Sequence, residues 1–297
     1  MDSTRLVLGA AQLGMDYGVA NTSGRPGPDE SLALVRQAWE GGVREFDTAQ
    51  AYGESEGVLG RILGELGLSN QALVVTKPAA AVEAADSGKL VQSAEISLAA
   101  LKIPRLHGFI LHDENQLDLW DKGLSTGVAL LKSKGLIRFF GVSVYSPKRA
   151  LRAIELDGLD LIQIPSNILD RRFERAGVLE AAKERGKRIY VRSVFLQGLL
   201  LADPNDMPGR MAMAGPVVRR FRELAGECGL SPFSLALAFA REAWPGAGIL
   251  FGAETREQVR ENLLGFKARL EPGLVERARE LFADLGEELL NPSLWPK

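Results

Sequence analysis

The chain has one cysteine, Cys228, and two histidines, His107 and His112, in 297 residues. A single thiol closes no internal disulfide, so a disulfide-stapled scaffold is excluded, and two imidazoles do not build a His-rich metal centre. Charge of one sign is also missing: 36 basic residues stand against 38 acidic ones, a net charge of −2. No uniform basic field exists to hold nucleic acid or an anionic lipid surface, so neither is an expected partner. Long hydrophobic runs are absent; stretches such as Phe233 to Ala240 fall short of the roughly 20 residues a membrane span requires. The opening segment places one acid and one base before a short apolar run broken by glycines, unlike a signal peptide, and a cytoplasmic location is expected. What is present is globular composition, 46% hydrophobic and 25% charged. A chain of this size buries about three quarters of its extended surface, enough for one large core.

Short β-branched runs alternate with amphipathic segments from end to end. Strands are expected at Leu6 to Ala10, Arg44 to Phe46, Ala72 to Thr76, Gly108 to Leu111, Arg138 to Val142, Leu159 to Ile164, Arg188 to Arg192 and Gly248 to Phe251. Helices fall between them, at Ser31 to Glu40, Ser55 to Glu65, Leu90 to Leu101, Pro147 to Leu156 and Gly177 to Arg185, where apolar residues recur at spacings of three and four. This alternation pairs strands in parallel through crossover helices, and eight units in such a length suit a closed (β/α)8 TIM barrel better than an open sheet. No G-x-G-x-x-G run follows the first strand, so an open dinucleotide-binding sheet is the weaker α/β reading. Extra helices are expected near the C-terminus at Pro216 to Cys228, Pro232 to Ala243 and Leu274 to Leu290, with a Pro-, Gly- and Met-rich loop from Leu199 to Pro216. No low-complexity linker divides the chain, so one domain over residues 1–297 is expected.

In a parallel barrel the chemistry sits where strands end. The second strand runs into Asp47, with Tyr52 five residues on; the third ends at Thr76-Lys77 and the fourth at Leu111-His112. Each residue alone has a plain reading: Asp47 as a loop acceptor, Tyr52 as rim packing, Lys77 as a snorkelling lysine, His112 as a hydrogen-bonded structural imidazole. Together on one rim they are chemically complementary for proton transfer to an oxygen. A tyrosine, with an ordinary pKa of about 10, is a poor acid at neutral pH unless a nearby cation stabilises its phenolate. Lys77 is the cation expected to lower it, Asp47 would hold Lys77 charged, and His112 would orient a carbonyl. An acid poised at a carbonyl still needs a hydride, which no side chain provides, so a nicotinamide cofactor is expected.

The run Glu45-Phe46-Asp47-Thr48-Ala49, with Tyr52-Gly53-Glu54-Ser55-Glu56 and Leu59-Gly60 after it, resembles the aldo-keto reductase superfamily, and the likeness extends along nearly the whole chain. The resemblance implies a (β/α)8 barrel and a tetrad of Asp47, Tyr52, Lys77 and His112, with Tyr52 the general acid in carbonyl reduction and the base in alcohol oxidation. It also implies that Ser143 and Gln163 bond the nicotinamide carboxamide, although Val144 stands where the family usually has Asn. Where many members stack a tyrosine on the nicotinamide, this chain has Arg192, whose guanidinium plane can also stack. Ser193, Phe195, Gln197 and Gly198 follow as cofactor contacts. The segment with Gly252, Ala253, Glu254, Gln258, Glu261 and Asn262 is implied to hold the adenosine end. Read plainly, Thr255 and Gln258 form a capping box that starts a helix. The basic residues many members carry at Gly252, Glu254 and Gln258 are missing, and Glu254 would repel a 2′-phosphate or accept a ribose hydroxyl. NADP(H) is favoured by the family, with NAD(H) next.

The remaining features read as structure. His107 starts the fourth strand at the opposite rim, Cys228 is a buried or inert thiol, and Trp39, Trp120, Trp244 and Trp295 are packing residues. Gln12 to Tyr17 should line the pocket mouth. Three functions stay open: an NAD(P)H-dependent reductase of aldehydes or ketones, an NAD-dependent sugar or alcohol dehydrogenase, and a slow-turnover cofactor-binding redox sensor. A small carbonyl or alcohol substrate is the expected partner. The loops Gln12 to Pro28 and Leu199 to Pro216 set its identity, and oligomeric state is not encoded legibly.

Overall fold

The computed structural model describes residues 4–18, 21, 24–79, 87–207 and 209–295. Parts of the two loops expected to select the substrate, residues 19, 20, 22, 23 and 208, therefore lie outside the described residues. Eight strands form: β1 (Arg5–Gly9), β2 (Glu45–Asp47), β3 (Leu73–Thr76), β4 (Leu106–Leu111), β5 (Ile137–Ser143), β6 (Leu161–Pro165), β7 (Arg188–Arg192) and β8 (Gly248–Phe251). Every neighbouring pair is parallel, in sequential order, and β8 closes on β1 with Arg5 opposite Gly248 and Leu8 opposite Phe251. This is the expected (β/α)8 barrel. All eight strands lie within a few residues of their expected places, because parallel strands buried on both faces read as continuous apolar runs.

Two apolar layers hold the barrel. Val7, Val75, Ile110, Leu161, Tyr190 and Leu250 fill its interior as one cluster. The larger layer lies between strands and helices and includes Leu8, Phe46, Phe109, Phe140 and Ile162, none measurably exposed. Below the interior cluster Arg5 pairs with the Glu45 carboxylate, which also accepts the Tyr190 hydroxyl. Side chains thus plug the end where strands begin and leave the other end open. His107, inside β4, is buried edge-on against Phe139 with ring centroids 5.1 Å apart, at the plugged end as expected.

Helix starts follow elementary capping. Ser146 accepts from Arg149 N at the helix Pro147–Glu155, Ser231 from Ser234 N at Pro232–Ala243, and Thr255 from Gln258 N at Arg256–Phe266. Pro232–Ala243 packs internally, with Leu235 to Ala240 buried. Two expectations are corrected. The terminal helix breaks into Leu274–Leu281 and Glu287–Leu290, because Gly286 is extended (φ −69°, ψ 152°) while Leu289 and Leu290 turn back to be buried. The segment expected to be loop contains 3-10 turns at Leu196–Leu201 and Gly209–Ala214. The four tryptophans do pack: Trp244 donates to Ser166 Oγ at 3.0 Å, Trp295 to Leu289 O at 3.1 Å, Trp120 is buried, and Trp39 covers Arg44. Cys228 is only half-buried, just past the helix Gly215–Glu227. Among the described residues no helix is long and apolar enough to cross a membrane.

Candidate active site

The turn after β2 is fixed before any ligand arrives. Thr48 N donates to Val75 O at 2.9 Å and Gln50 N to Lys77 O at 3.0 Å, continuing the ladder beyond the strands. The Gln50 amide donates to Ser93 O and Ser97 Oγ, each at 2.8 Å. Ser55 Oγ donates to Ala10 O at 2.6 Å and lies 2.8 Å from Thr48 Oγ1. Gly53, at φ 56°, turns the chain where a side chain would be strained. Tyr52 is carried on this braced turn.

The four residues expected from the strand ends do converge. Lys77 Nζ donates to Asp47 Oδ1 at 2.6 Å and to Thr48 O at 2.9 Å, with Lys77 1% and Asp47 4% exposed. Nζ lies 5.3 Å from the Tyr52 ring centroid, and the His112 ring meets Tyr52 edge-on with centroids 5.8 Å apart. The other Asp47 oxygen, Oδ2, accepts from Gln163 Nε2 at 2.8 Å.

The electrostatics differ from the sequence expectation in one respect. Burial, then the Asp47 carboxylate, holds the Tyr52 hydroxyl above the usual tyrosine range, and the cation working against them is Arg192. Lys77, paired with Asp47 at 2.6 Å, is not among the leading influences on Tyr52. Tyr52 therefore keeps its proton at neutral pH. His112 is pulled down to about 4, first by burial and then by Lys77, so its imidazole is neutral. Tyr17 is pushed up to about 12 by burial and by Tyr52 beside it.

His112 lines a separate hollow with Tyr145, while Asp47, Tyr52 and Tyr17 border a cavity of about 330 Å³ at the open end of the barrel, running on to Glu254 and Gln258. Ten of the residues expected to hold a cofactor line it: Gln163, Arg192, Ser193, Phe195, Gln197, Gly198, Gly252, Ala253, Glu254 and Gln258. Ser193, Leu196 and Gln197 all take positive φ (61°, 50° and 54°), a run of strained backbone of the kind found where a loop is shaped around a ligand. Ser143 lies just behind the wall, its Oγ accepting from Arg192 Nε at 3.3 Å. Neither Glu261, which is exposed, nor Asn262, whose Nδ2 donates to Gln258 O at 2.8 Å, reaches this cavity. Gln258 serves its own helix: its Oε1 accepts from Glu254 N at 2.7 Å, extending the expected cap by one residue. Arg192 lies against Tyr145, 4.3 Å from the ring centroid.

The donor set fits a carboxamide-bearing dinucleotide. With Gln163 Nε2 given to Asp47, its Oε1 remains to accept from an amide, and the Ser143 hydroxyl remains to donate. Sequence reasoning passed over Phe233, which meets Phe195 edge-on at 5.4 Å in the cavity wall, and Tyr145, which lies behind that wall against Arg192. A lone aromatic at the start of an apolar helix carries no signal of a site. Of the run Gln12 to Tyr17 expected at the pocket mouth, only the ends, Gln12 and Tyr17, line the cavity, and Leu13 and Gly14 are buried in the short helix Ala11–Gly14.

Residues 5–282 match the family model described as the Aldo/keto reductase family. Among curated relatives, the chain is 30% identical over 234 residues to a chloroplastic pyridoxal reductase of Arabidopsis thaliana, a match spanning 71% of this chain and 61% of that protein's length. It is 26% identical over 273 residues to the L-glyceraldehyde 3-phosphate reductase of Escherichia coli, covering 79% and 78% of the two chains. Among solved structures, a glycerol dehydrogenase from Gluconobacter oxydans superposes with a TM-score of 0.73 at 22% identity, covering 95% of this chain and 92% of that one, a likeness of fold.

Proposed function

The chain belongs to the aldo-keto reductase family and is an oxidoreductase, and on that premise we propose that it reduces an aldehyde or ketone with NAD(P)H, taking the proton from Tyr52. The observation that carries this reading is the convergence of a protonated Tyr52, a neutral His112 and the buried Asp47–Lys77 pair at the open end of the barrel, where Tyr52 and Asp47 line the cavity. The nicotinamide, when bound, supplies the hydride.

Each side chain then has a defined task. A carbonyl oxygen placed between Tyr52 and His112 meets two hydroxyl- or imidazole-borne donors, which polarise it and bear the negative charge it gains. Tyr52 is protonated at neutral pH and so can donate in the direction of reduction, where the alkoxide formed is a stronger base than a phenolate. Asp47 and Lys77 act as a rigid, neutral pair beneath the phenol. Gln163 Oε1 and the Ser143 hydroxyl would hold the carboxamide, and Ser193, Phe195, Gln197 and Gly198 would contact the rest of the dinucleotide. Ala253, Glu254 and Gln258 meet its adenosine end, where helix N–H groups favour an anion and the Glu254 carboxylate opposes one.

The family generally uses NADPH, and NADPH is proposed here, with NADH the second reading on the strength of Glu254 lining the cavity. Titration with each reduced cofactor, followed by nicotinamide fluorescence at fixed salt, tests this. Tighter NADPH binding supports the reductase reading. Tighter NADH binding, reversed by Glu254→Arg, shifts it towards sugar or alcohol oxidation, and binding of neither overturns it.

A further inference from the structure

Arg192 ends β7, is half-buried, and shares a cavity wall with Tyr52 and Asp47. Its Nε donates to Ser143 Oγ, Nη1 to Ser193 Oγ and Nη2 to Val144 O, each at 3.3 Å. One face of the guanidinium rests on Tyr145. A guanidinium has five N–H donors in a fixed fork. Three are engaged here, all at the long end of the hydrogen-bond range and all with neutral acceptors.

Among the described residues no carboxylate forms an ion pair with Arg192, and the nearest buried cation is already paired. Lys77 is paired with Asp47. In a separate hollow lined by His112 and Tyr145, Glu114 and Asp113 are held by backbone N–H groups of Tyr145, Ser146 and Asn115, and Glu287 pairs with Arg172 at 2.7 Å. Arg192 therefore presents to the Tyr52 end of the cavity a guanidinium with no carboxylate partner and two N–H donors to spare. Holding such a charge partly out of water is costly unless a counter-ion joins it.

We propose that Arg192 determines specificity, receiving the carboxylate or phosphate of a carbonyl substrate whose reacting oxygen sits at Tyr52. The fork suits either anion, through two parallel N–H···O bonds. The proposal rests on the reading of Tyr52 as proton donor, and it replaces stacking on the nicotinamide as the task of Arg192.

The test compares substrates of one skeleton that differ in charge: 4-oxobutanoate against its methyl ester for carboxylate, and glycolaldehyde phosphate against glycolaldehyde for phosphate. In the wild type, kcat/KM is expected to favour at least one anion over its neutral partner by about 10- to 100-fold, the range of a charge-assisted hydrogen bond. That ratio should fall to near unity in Arg192→Gln and survive in part in Arg192→Lys. An unchanged ratio in Arg192→Gln, or no preference in the wild type, overturns the proposal. So does an equal fall on charged and neutral substrates with weaker NADPH binding, which would give Arg192 to the cofactor's phosphates. If no aldehyde is turned over, calorimetric binding of butanoate against butanamide in both proteins carries the same comparison. Wild-type reduction of the methyl ester by Tyr52→Phe would instead overturn the proton-donor reading alone.

Discussion

A Cβ at Gly14 would lie 1.9 Å from the Tyr52 carbonyl oxygen and 2.3 Å from the Ser55 amide nitrogen. The obstruction is reciprocal, since a Cβ at Gly53 would come within 2.5 Å of Gly14 O. The turn after β1 and the turn bearing Tyr52 thus touch backbone to backbone, and neither can yield by swinging a side chain. Gly14→Ala is expected to destabilise the fold by about 1–3 kcal/mol. It should also lower kcat/KM by about 100-fold, the penalty of misplacing a reacting group by about 1 Å. Urea unfolding and steady-state kinetics check both, and wild-type values would show that the two turns are not in contact.

The Asp47–Lys77 pair is buried at both partners. Lys77→Met strands a carboxylate in the barrel and should cost about 3–5 kcal/mol. Adding Asp47→Asn removes the stranded charge, so the double variant is expected to be more stable than the sum of the single losses predicts, with a coupling of about 1–3 kcal/mol. Denaturant titration of all four proteins measures it. Additive losses would mean that the two charges do not sense each other.

His107 is enclosed with neither ring nitrogen hydrogen-bonded, and burial pulls it down to about 4 from 6.5. Between those values the unfolded chain binds a proton that the folded chain refuses. Stability should therefore be full above pH 6.5 and decline as pH falls towards 4, by a contribution on the order of 3 kcal/mol. His107→Phe, which keeps a ring against Phe139, should flatten this acid limb. An unchanged limb would contradict the account. His112, depressed in the same direction but half-exposed, adds a smaller share.

The barrel was legible because each strand is an apolar run closed by a turn residue, and the topology carries the ends of successive strands to one rim. Asp47, Lys77 and His112 could therefore be grouped without knowing a distance. Their electrostatic effect could not be read, because it depends on how deeply Tyr52 is buried and on the balance of the charges around it. Arg192 was located by its place at a strand end, yet its neighbour Tyr145 belongs to a different loop and no periodicity links the two. Glu261 and Asn262 show the same limit. The helix on which they lie was legible, but its phase relative to the cavity depends on how it docks. The break before Glu287 was missed because apolar spacing continues through Leu285 and Leu289.

The central claim is that Tyr52 gives up the proton in carbonyl reduction. The most direct measurement mixes Tyr52→Phe with reduced cofactor and an aldehyde in a single turnover, with cofactor affinity recorded in the same experiment. The expected result is cofactor binding within about threefold of the wild type and a rate of cofactor oxidation lower by at least about 100-fold, the low end of what a positioned acid contributes. Oxidation at the wild-type rate with binding intact would contradict it.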